Sequence, residues 1–551
     1  MMHPLQPKNL SGTRLSRCHM LLWLSSLFSA ASYATPQSTK DTATTSVTVG
    51  TIKIINHPIF DEDDPDAFFL HRWANFLHIN TQESTILDKL SFAPGDQVNQ
   101  HTLAEAQRIL RAQPYLRDSQ IQILPDAAGN TAHQDATIEV KTWDNWSLLP
   151  TLSIGRSGGN NRFSFGIKED NLLGKGIRTR LKYQSNADRT GYKLAFDTPL
   201  KWVHHARLQA EIQDNDDGQA HQLAFDKPFY TLDGKRKYRI EYADNNRIDT
   251  LRQNGEETDS FRHRSQFINA SYGWLHHTET DSIQRLITGI TQDQHLFSRN
   301  NQVPNSTLPQ DRRFLYPWLA WEYIEDDFKV LNNVHLINYN EDFNLGWQHY
   351  VQLGVETRDI HHSPGYHLQW YSSRGYHDDN LILLLSLAGK SVLNTQQKNF
   401  YRLDLSSELF YQLTPKWTLY QRLQLASSKN NYLDQPFSLG DSTGIRGYPD
   451  GYQQGDQQWQ LTGEVRNYPN INLYQLAELG WAVFADIGRA FGDNADTNVI
   501  KGAIGSIGIG ARIYSSRSSY GNVAHIDLSV PLNKGPGLDN WEWRFEVRNR
   551  F

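Results

Sequence analysis

The final eleven residues, WEWRFEVRNRF, alternate with period two. Trp541, Trp543, Phe545, Val547 and Phe551 share one face; Glu542, Arg544, Glu546, Arg548 and Arg550 share the other. Upstream, Ala524, Ile526, Leu528 and Val530 oppose His525, Asp527 and Ser529, and Trp417, Leu419, Leu423 and Leu425 oppose Thr418, Tyr420, Arg422 and Gln424. Strand geometry puts residues i and i+2 on one side, so each segment reads as a strand with one apolar face. Such segments recur over roughly 400 residues after position 145, separated by Gly, Asn, Asp and Pro, with no helical stripe among them. Repeated short alternation is the signature of a transmembrane β-barrel. Closing the sheet on itself pairs every backbone group, which is what lets a sheet cross lipid. A secreted sandwich or propeller also alternates. Against it stand the absence of a blade-length repeat, a secretory amino terminus, and a chain that ends on an aromatic strand residue. Aromatic content of 12% and 15 tryptophans suit interfacial girdles. A mean hydropathy of −0.61 agrees with a barrel, since half of each strand faces a wet lumen.

The amino terminus sets the compartment. Lys8, Arg14 and Arg17 precede an apolar run, Met20–Phe28, followed by small residues at Ser32 and Ala34. This is the pattern of a secretory signal cleaved after Ala34, and the run is too short to span a bilayer. The single cysteine, Cys18, lies within it, so the mature chain has no thiol or disulfide. Cleavage removes three positive charges and takes the formal net charge from −6 to −9, which gives no sign of nucleic-acid binding. Residues 35–46 are Thr/Ser-rich and read as a flexible mature terminus.

Residues 47–144 have a different character. Val47–Ile55 is a β-branched run. Ser84 can cap a helix over Ile86, Leu87 and Leu90, and a second helix aligns Leu103, Ala106, Ile109 and Leu110. Tyr115–Leu124 and Ala136–Lys141 read as strands joined through Pro125–Asn130. The order β-α-α-β-β can bury one face of a small sheet under two helices and leaves strand edges open. An insert, 57–83, places Phe69, Trp73, Phe76 and Asn80 at helical spacing. It reads as an extra helix packing on this unit or as a docking surface for a partner or a membrane interface. His71 and His78 read as ordinary surface or boundary residues. No H-E-x-x-H occurs, and His204-His205, His276-His277 and His361-His362 lack ligand spacing, so neither a metal nor a cofactor is expected.

The stretch SLGDSTGIRGYPDGYQQGD (438–456) admits two readings. Gly440–Gly444 fits G-x-S-x-G, a nucleophile elbow around Ser442. Alternatively, its turn formers present Arg446. The faces of the neighbouring strands favour the arginine. Leu479, Trp481, Val483 and Ile487 point to lipid, so Phe484 and Asp486 point inward. Trp459, Leu461 and Val465 point out, so Glu464 points in. Ile507, Ile509 and Ile513 point out, which leaves Gly508 and Gly510 inside. Two lumenal carboxylates beside glycines form a pocket for a cation, and residues 429–456 are a loop able to deliver one. An elbow needs a strand-turn-helix frame, so no catalytic residue and no enzyme activity are expected.

These residues carry a resemblance. The 47–144 unit looks like one POTRA domain. The barrel resembles the BamA/TamA-type outer-membrane assembly and translocation superfamily, the bacterial surface antigen family. The matching segments are EDNLLGKG (Glu169–Gly176), FSLGDSTGIRGYPDG (Phe437–Gly451), Glu464 in GEVR, VFADIG (Val483–Gly488), GIGAR (Gly508–Arg512), LSVPL (Leu528–Leu532) and Phe551. The resemblance implies a 16-stranded barrel over 145–551, although the alternating segments number nearer twenty. It implies that the tip Ile445-Arg446-Gly447-Tyr448 folds into the barrel and pairs with Asp486, with Glu464 as a second partner, and that Phe551 marks the barrel for assembly. It also implies an outer-membrane location with the POTRA-like unit in the periplasm. The expected activity is insertion or translocation of polypeptides without ATP. Partners would be the lipid bilayer, unfolded clients at the POTRA edge and barrel seam, and an accessory periplasmic protein. Two-partner secretion, or a porin-like or structural surface antigen, are the alternatives.

Overall fold

The computed structural model describes residues 46–548 except 66, 125–134, 158–159, 301–306, 357–362, 494 and 520–522. The expected signal, the hairpin connection at Pro125–Asn130 and Phe551 fall wholly or mainly outside the described residues.

The first unit runs β1 (Val47–His57), α1 (Phe69–Leu77), α2 (Glu83–Leu87), β2 (Gln97–Val98), α3 (Gln100–Arg111), β3 (Leu116–Leu124) and β4 (Ala136–Asp144). The sheet order is β2-β1-β4-β3, with β1 parallel to β4 and β3 antiparallel to it. Leu103, Ala106 and Leu110 of α3 and Ile86 of α2 pack on Val49, Ile138 and Val140, a buried apolar core of helix on sheet. Asn99 caps α3 by accepting from the Thr102 amide at 2.9 Å. Ser84 does not cap α2, which begins one residue before it, at Glu83.

From Leu148 onward the chain is a closed antiparallel barrel. Among the described residues the ring holds twenty long strands, plus the two-residue strand Asn472–Leu473 beside Ala477–Phe491. The expected barrel class stands, but its size is twenty, not sixteen. Nearly every alternating segment is long enough to cross, and each takes its own place in the ring. The first strand, Leu148–Ser157, and the last, Glu542–Arg548, lie side by side and close it. Alternation survives folding: in Ala477–Phe491, Trp481, Val483 and Ile487 face outward while Ala482, Phe484 and Asp486 are buried. No described helix is long and apolar enough to cross a membrane.

The first unit sits at one end of the barrel, here the near end, and is tied to it by polar contacts. Within the unit the buried Asp144 holds Thr81 in place, accepting from its amide and hydroxyl and from His78, each at 2.8 Å. Asn171, in the EDNLLGKG turn, donates to Thr81 at 2.8 Å, and the Gly174 carbonyl accepts from Thr85 at 2.8 Å. Gly174 has φ +71°, and a Cβ there would stand 2.4 Å from the Asn80 carbonyl oxygen. This glycine is what lets the turn lie against the unit. His71 is therefore not a surface or boundary residue but fully buried and hydrogen-bonded to the Tyr474 carbonyl, whereas His78 is a boundary residue whose side chain is covered and hydrogen-bonded to Asp144.

Candidate functional site

Two chain segments enter the lumen, one from each end. From the far end comes the loop 429–456, whose short hairpin, Phe437–Leu439 with Gln453–Gly455, frames the tip. Gly444 (φ +111°) and Gly447 (φ +84°) give the tip turns that an L side chain rarely adopts. At Gly447 a Cβ would also meet the Ser529 hydroxyl at 2.9 Å. The tip is buried: Ile445 and Tyr448 are inaccessible, and the Tyr448 hydroxyl donates to the Gly505 carbonyl at 2.9 Å.

Arg446 is 5% exposed. Its Nε and Nη2 donate to the two oxygens of Asp486 at 2.7 and 2.9 Å, and Nη1 reaches Glu464 at 2.9 Å. The guanidinium lies over the Phe484 ring, 3.4 Å from its centroid. Bidentate pairing with a stacked face uses what distinguishes arginine from lysine. The inward glycines make this possible. A Cβ on Gly508 would strike Phe484 at 2.3 Å, and one on Gly510 would stand 2.1 Å from Asp527.

The cluster is larger than the three residues read from the sequence. Glu464 also accepts from Arg466 at 2.9 Å, Asp527 from Arg512 at 2.6 Å, and Asp441 from Arg544 at 2.8 Å. Four guanidinium groups thus face four carboxylates, which balances charge in a buried setting where an unmatched ion is costly. Period-two alternation places Asp527 and Arg544 on the polar side of their strands. The ring register, which alternation does not carry, brings those strands under the loop.

Ser442 lies in a single 3₁₀ turn, Asp441–Thr443, exposed, its amide donating to Asp450 at 2.8 Å. The strand-turn-helix frame of a nucleophile elbow is not formed around it.

From the near end comes a hairpin with no counterpart in the sequence reading, Phe328–Asn332 paired with Asn340–Asn344. It leaves its parent strands and crosses to the opposite wall. Val334 and Leu331 pack with Phe410 and Tyr420, and Ile337 packs with Tyr468 and Tyr514. The first unit grips its base: Arg111 makes a two-toothed pair with Asp342 at 2.8 and 2.5 Å, and His101 reaches Asp326 at 2.5 Å. That carboxylate raises the His101 pKa above its ordinary value. Arg466 joins the two lumenal segments, holding Glu464 of the tip cluster and reaching the Val334 carbonyl at 3.5 Å.

Sequence spacing also missed His263, His295 and Asp434, whose ligand-type atoms lie within 4.8 Å of one another. The two imidazoles are 2.9 Å apart, and their outer nitrogens reach Asp249 at 2.6 Å and Asp293 at 3.1 Å. Asp434 takes both terminal nitrogens of Arg312 at 2.8 and 2.7 Å. These groups are engaged within the chain, and the Arg312–Asp434 pair pins the start of the loop to the wall.

Residues 337–513 match the family model described as haemolysin secretion/activation protein ShlB/FhaC/HecB. That span contains the loop, Arg446, Glu464, Asp486 and Arg512. Solved structures similar to this chain include CdiB from Acinetobacter baumannii (13% identity, TM-score 0.45, 96% of each chain) and CdiB from Escherichia coli (12%, 0.45, 98% of this chain and 99% of that one). Another is BamA from Haemophilus ducreyi lacking POTRA domains 1-3 (13%, 0.39, 91% and 84%). No curated protein matches.

Proposed function

We propose that this barrel of the BamA/TamA-type outer-membrane assembly and translocation superfamily exports a polypeptide through its lumen, as a two-partner secretion transporter does. The observation that carries the reading is the lumen itself. A twenty-strand ring is filled by two tethered segments held through ion pairs, hydrogen bonds and apolar packing; neither is a strand of the ring, so they can be displaced without breaking the wall. The near end faces the periplasm in this reading, and the first unit acts as a POTRA domain. Its β3 is an edge strand of the sheet, where an extended client adds by backbone hydrogen bonds. At present Gln107 accepts from the Ile121 amide at 3.2 Å, and the Arg117 carbonyl accepts from Tyr339 of the hairpin at 3.1 Å. A client strand on β3 competes with that hairpin contact, so capture and opening are coupled. The match to secretion/activation proteins over the lock region supports export. Client folding outside supplies the driving force.

One observation favours insertion at the seam instead. The closing strand Glu542–Arg548 has seven described residues, fewer than any other long strand in the ring. Photo-crosslinkers at Ile337 in the lumen and Leu152 at the seam separate the two. One secreted partner captured at Ile337 supports export. Many nascent barrels captured at Leu152 support insertion. Ion flux with no polypeptide captured at either position refutes both and favours a porin.

A further inference from the structure

α1 is built inside out. Nine residues at about 100° per residue put Phe76, Phe69, Trp73, Leu77 and Leu70 on one arc about 120° wide. All five are exposed, Phe76 to 86%, Trp73 to 66% and Phe69 to 61%. The face turned toward the protein carries His71, Ala74 and Asn75. His71 is fully buried, hydrogen-bonds the Tyr474 carbonyl at 2.7 Å and stacks on Phe60 with centroids 4.2 Å apart. Asn75 donates to the Phe60 carbonyl at 2.9 Å and accepts from its amide at 3.1 Å. A helix packing for its own core would turn these faces the other way. Here the polar face is the one spent on docking, so the apolar face is held outward by specific bonds.

The place where it is held names its occupant. His71 and Phe68 seat α1 on Tyr474, and Asp64 accepts from Gln475 at 2.7 Å, so the helix is fastened to the near-end turn between Gln457–Asn467 and Ala477–Phe491. That turn is itself apolar and exposed at Ile471, Leu473 and Tyr474, the last at 70%. The strand leaving it presents Trp481, Val483 and Ile487 on the outside of the barrel. The exposed face of α1 is therefore held beside an apolar, exposed rim turn whose outgoing strand carries the outward belt of the barrel. Aromatic and leucine side chains in one plane, with Arg72 beside them, are the composition of a helix lying in a membrane interface.

We propose that α1 is an interfacial membrane anchor, lying in the phospholipid headgroup–acyl boundary at the near end of the barrel and fixing the first unit against the bilayer. The inference rests on the barrel spanning a bilayer and is independent of the client. Because the single native cysteine is Cys18, a Cys18→Ser background allows one label per molecule. The full protein is reconstituted into phosphatidylethanolamine/phosphatidylglycerol vesicles carrying brominated acyl chains. A fluorophore is placed at Phe76→Cys, at Ile509→Cys on the outer barrel wall, or at Gln100→Cys on α3. Quenching at Phe76 at a depth of about 5–10 Å, with quenching at Ile509 and none at Gln100, is the expected result. Ile509 quenched and Phe76 no more than Gln100 overturns the anchor and leaves the barrel standing. Neither quenched overturns the barrel and the anchor with it. Phe76 unquenched but crosslinked in cells to one protein means that face belongs to a protein partner, and also overturns the proposal. Phe69→Cys, a second label on the same arc, guards against a local defect from one substitution.

Discussion

Arg446→Ala is expected to undock the loop tip, and the geometry sets how much this costs. Among the described residues, the three hydrogen bonds that the Asp486 side chain accepts come from Arg446, through its amide, Nε and Nη2. Removing the guanidinium leaves a carboxylate that is 1% exposed without its cation. Breaking a buried pair from one side costs about 3–5 kcal/mol. Asp486→Ala is milder, because Arg446 keeps Glu464 at 2.9 Å; the loss is then about 1.5–3 kcal/mol, that of hydrogen bonds to a charged group. The two changes act on one contact, so the double variant should fall short of the sum by about 0.5–3 kcal/mol. Ser442→Ala, at an exposed position, should be neutral. The assay is protease protection of residues 429–456 in refolded protein across a urea series, with heat-modifiable migration reporting that the barrel remains closed. A loss of 3 kcal/mol shifts the docked-to-undocked ratio by about a hundredfold or more. Additive single effects, or Asp486→Ala costing more than Arg446→Ala, would refute the pairing as described. A harmless Arg446→Ala with an inactive, folded Ser442→Ala would refute the lock altogether.

Gly510→Ala should destabilise the barrel by about 1–3 kcal/mol, since the new Cβ falls 2.1 Å from Asp527; Gly463→Ala, with nothing within 4 Å, should leave the same unfolding midpoint unchanged. The His101–Asp326 contact makes hairpin docking pH-dependent. Because the pKa of His101 is raised in the docked state, its contribution is fully present below the free value near 6.5 and is lost as pH climbs through the raised one. Bilayer conductance should therefore rise with pH across that window, and His101→Gln should flatten the profile. Deletion of Phe551 should lower the amount of assembled barrel in membrane fractions and leave periplasmic fragments; unchanged assembly at normal expression would remove its role as an assembly mark.

Period-two alternation made the barrel legible because lipid on one side and a polar lumen on the other impose opposite chemistry on neighbouring residues. The same logic pointed Asp486, Glu464, Gly508 and Gly510 inward before any register was known. Ring size was harder. Alternation counts segments, and the segment count near twenty was nearer the structure than the sixteen borrowed by resemblance. The hairpin 328–344 was invisible because its residues mimic two more short strands; only their partners reveal that they pair with each other inside the ring. Asp527, Arg512 and Arg544 joined the lock through register, which a one-dimensional pattern does not carry. α1 was read as a helix with Asn80 on its stripe, but it ends at Leu77, and its aromatic stripe invited burial. His71 and Asn75 decide the orientation, through bonds to Tyr474 and Phe60 that the sequence spacing does not show.

The central claim is that a polypeptide passes through a lumen now stoppered by its own hairpin. Val334 and Phe410 pack together across that contact, so cysteines at both positions, with Cys18 replaced, can tie the hairpin to the wall. Secretion of the partner polypeptide by this variant should stop under oxidising conditions and resume when reductant is added. Secretion that continues unchanged with the hairpin tied in place would contradict the account.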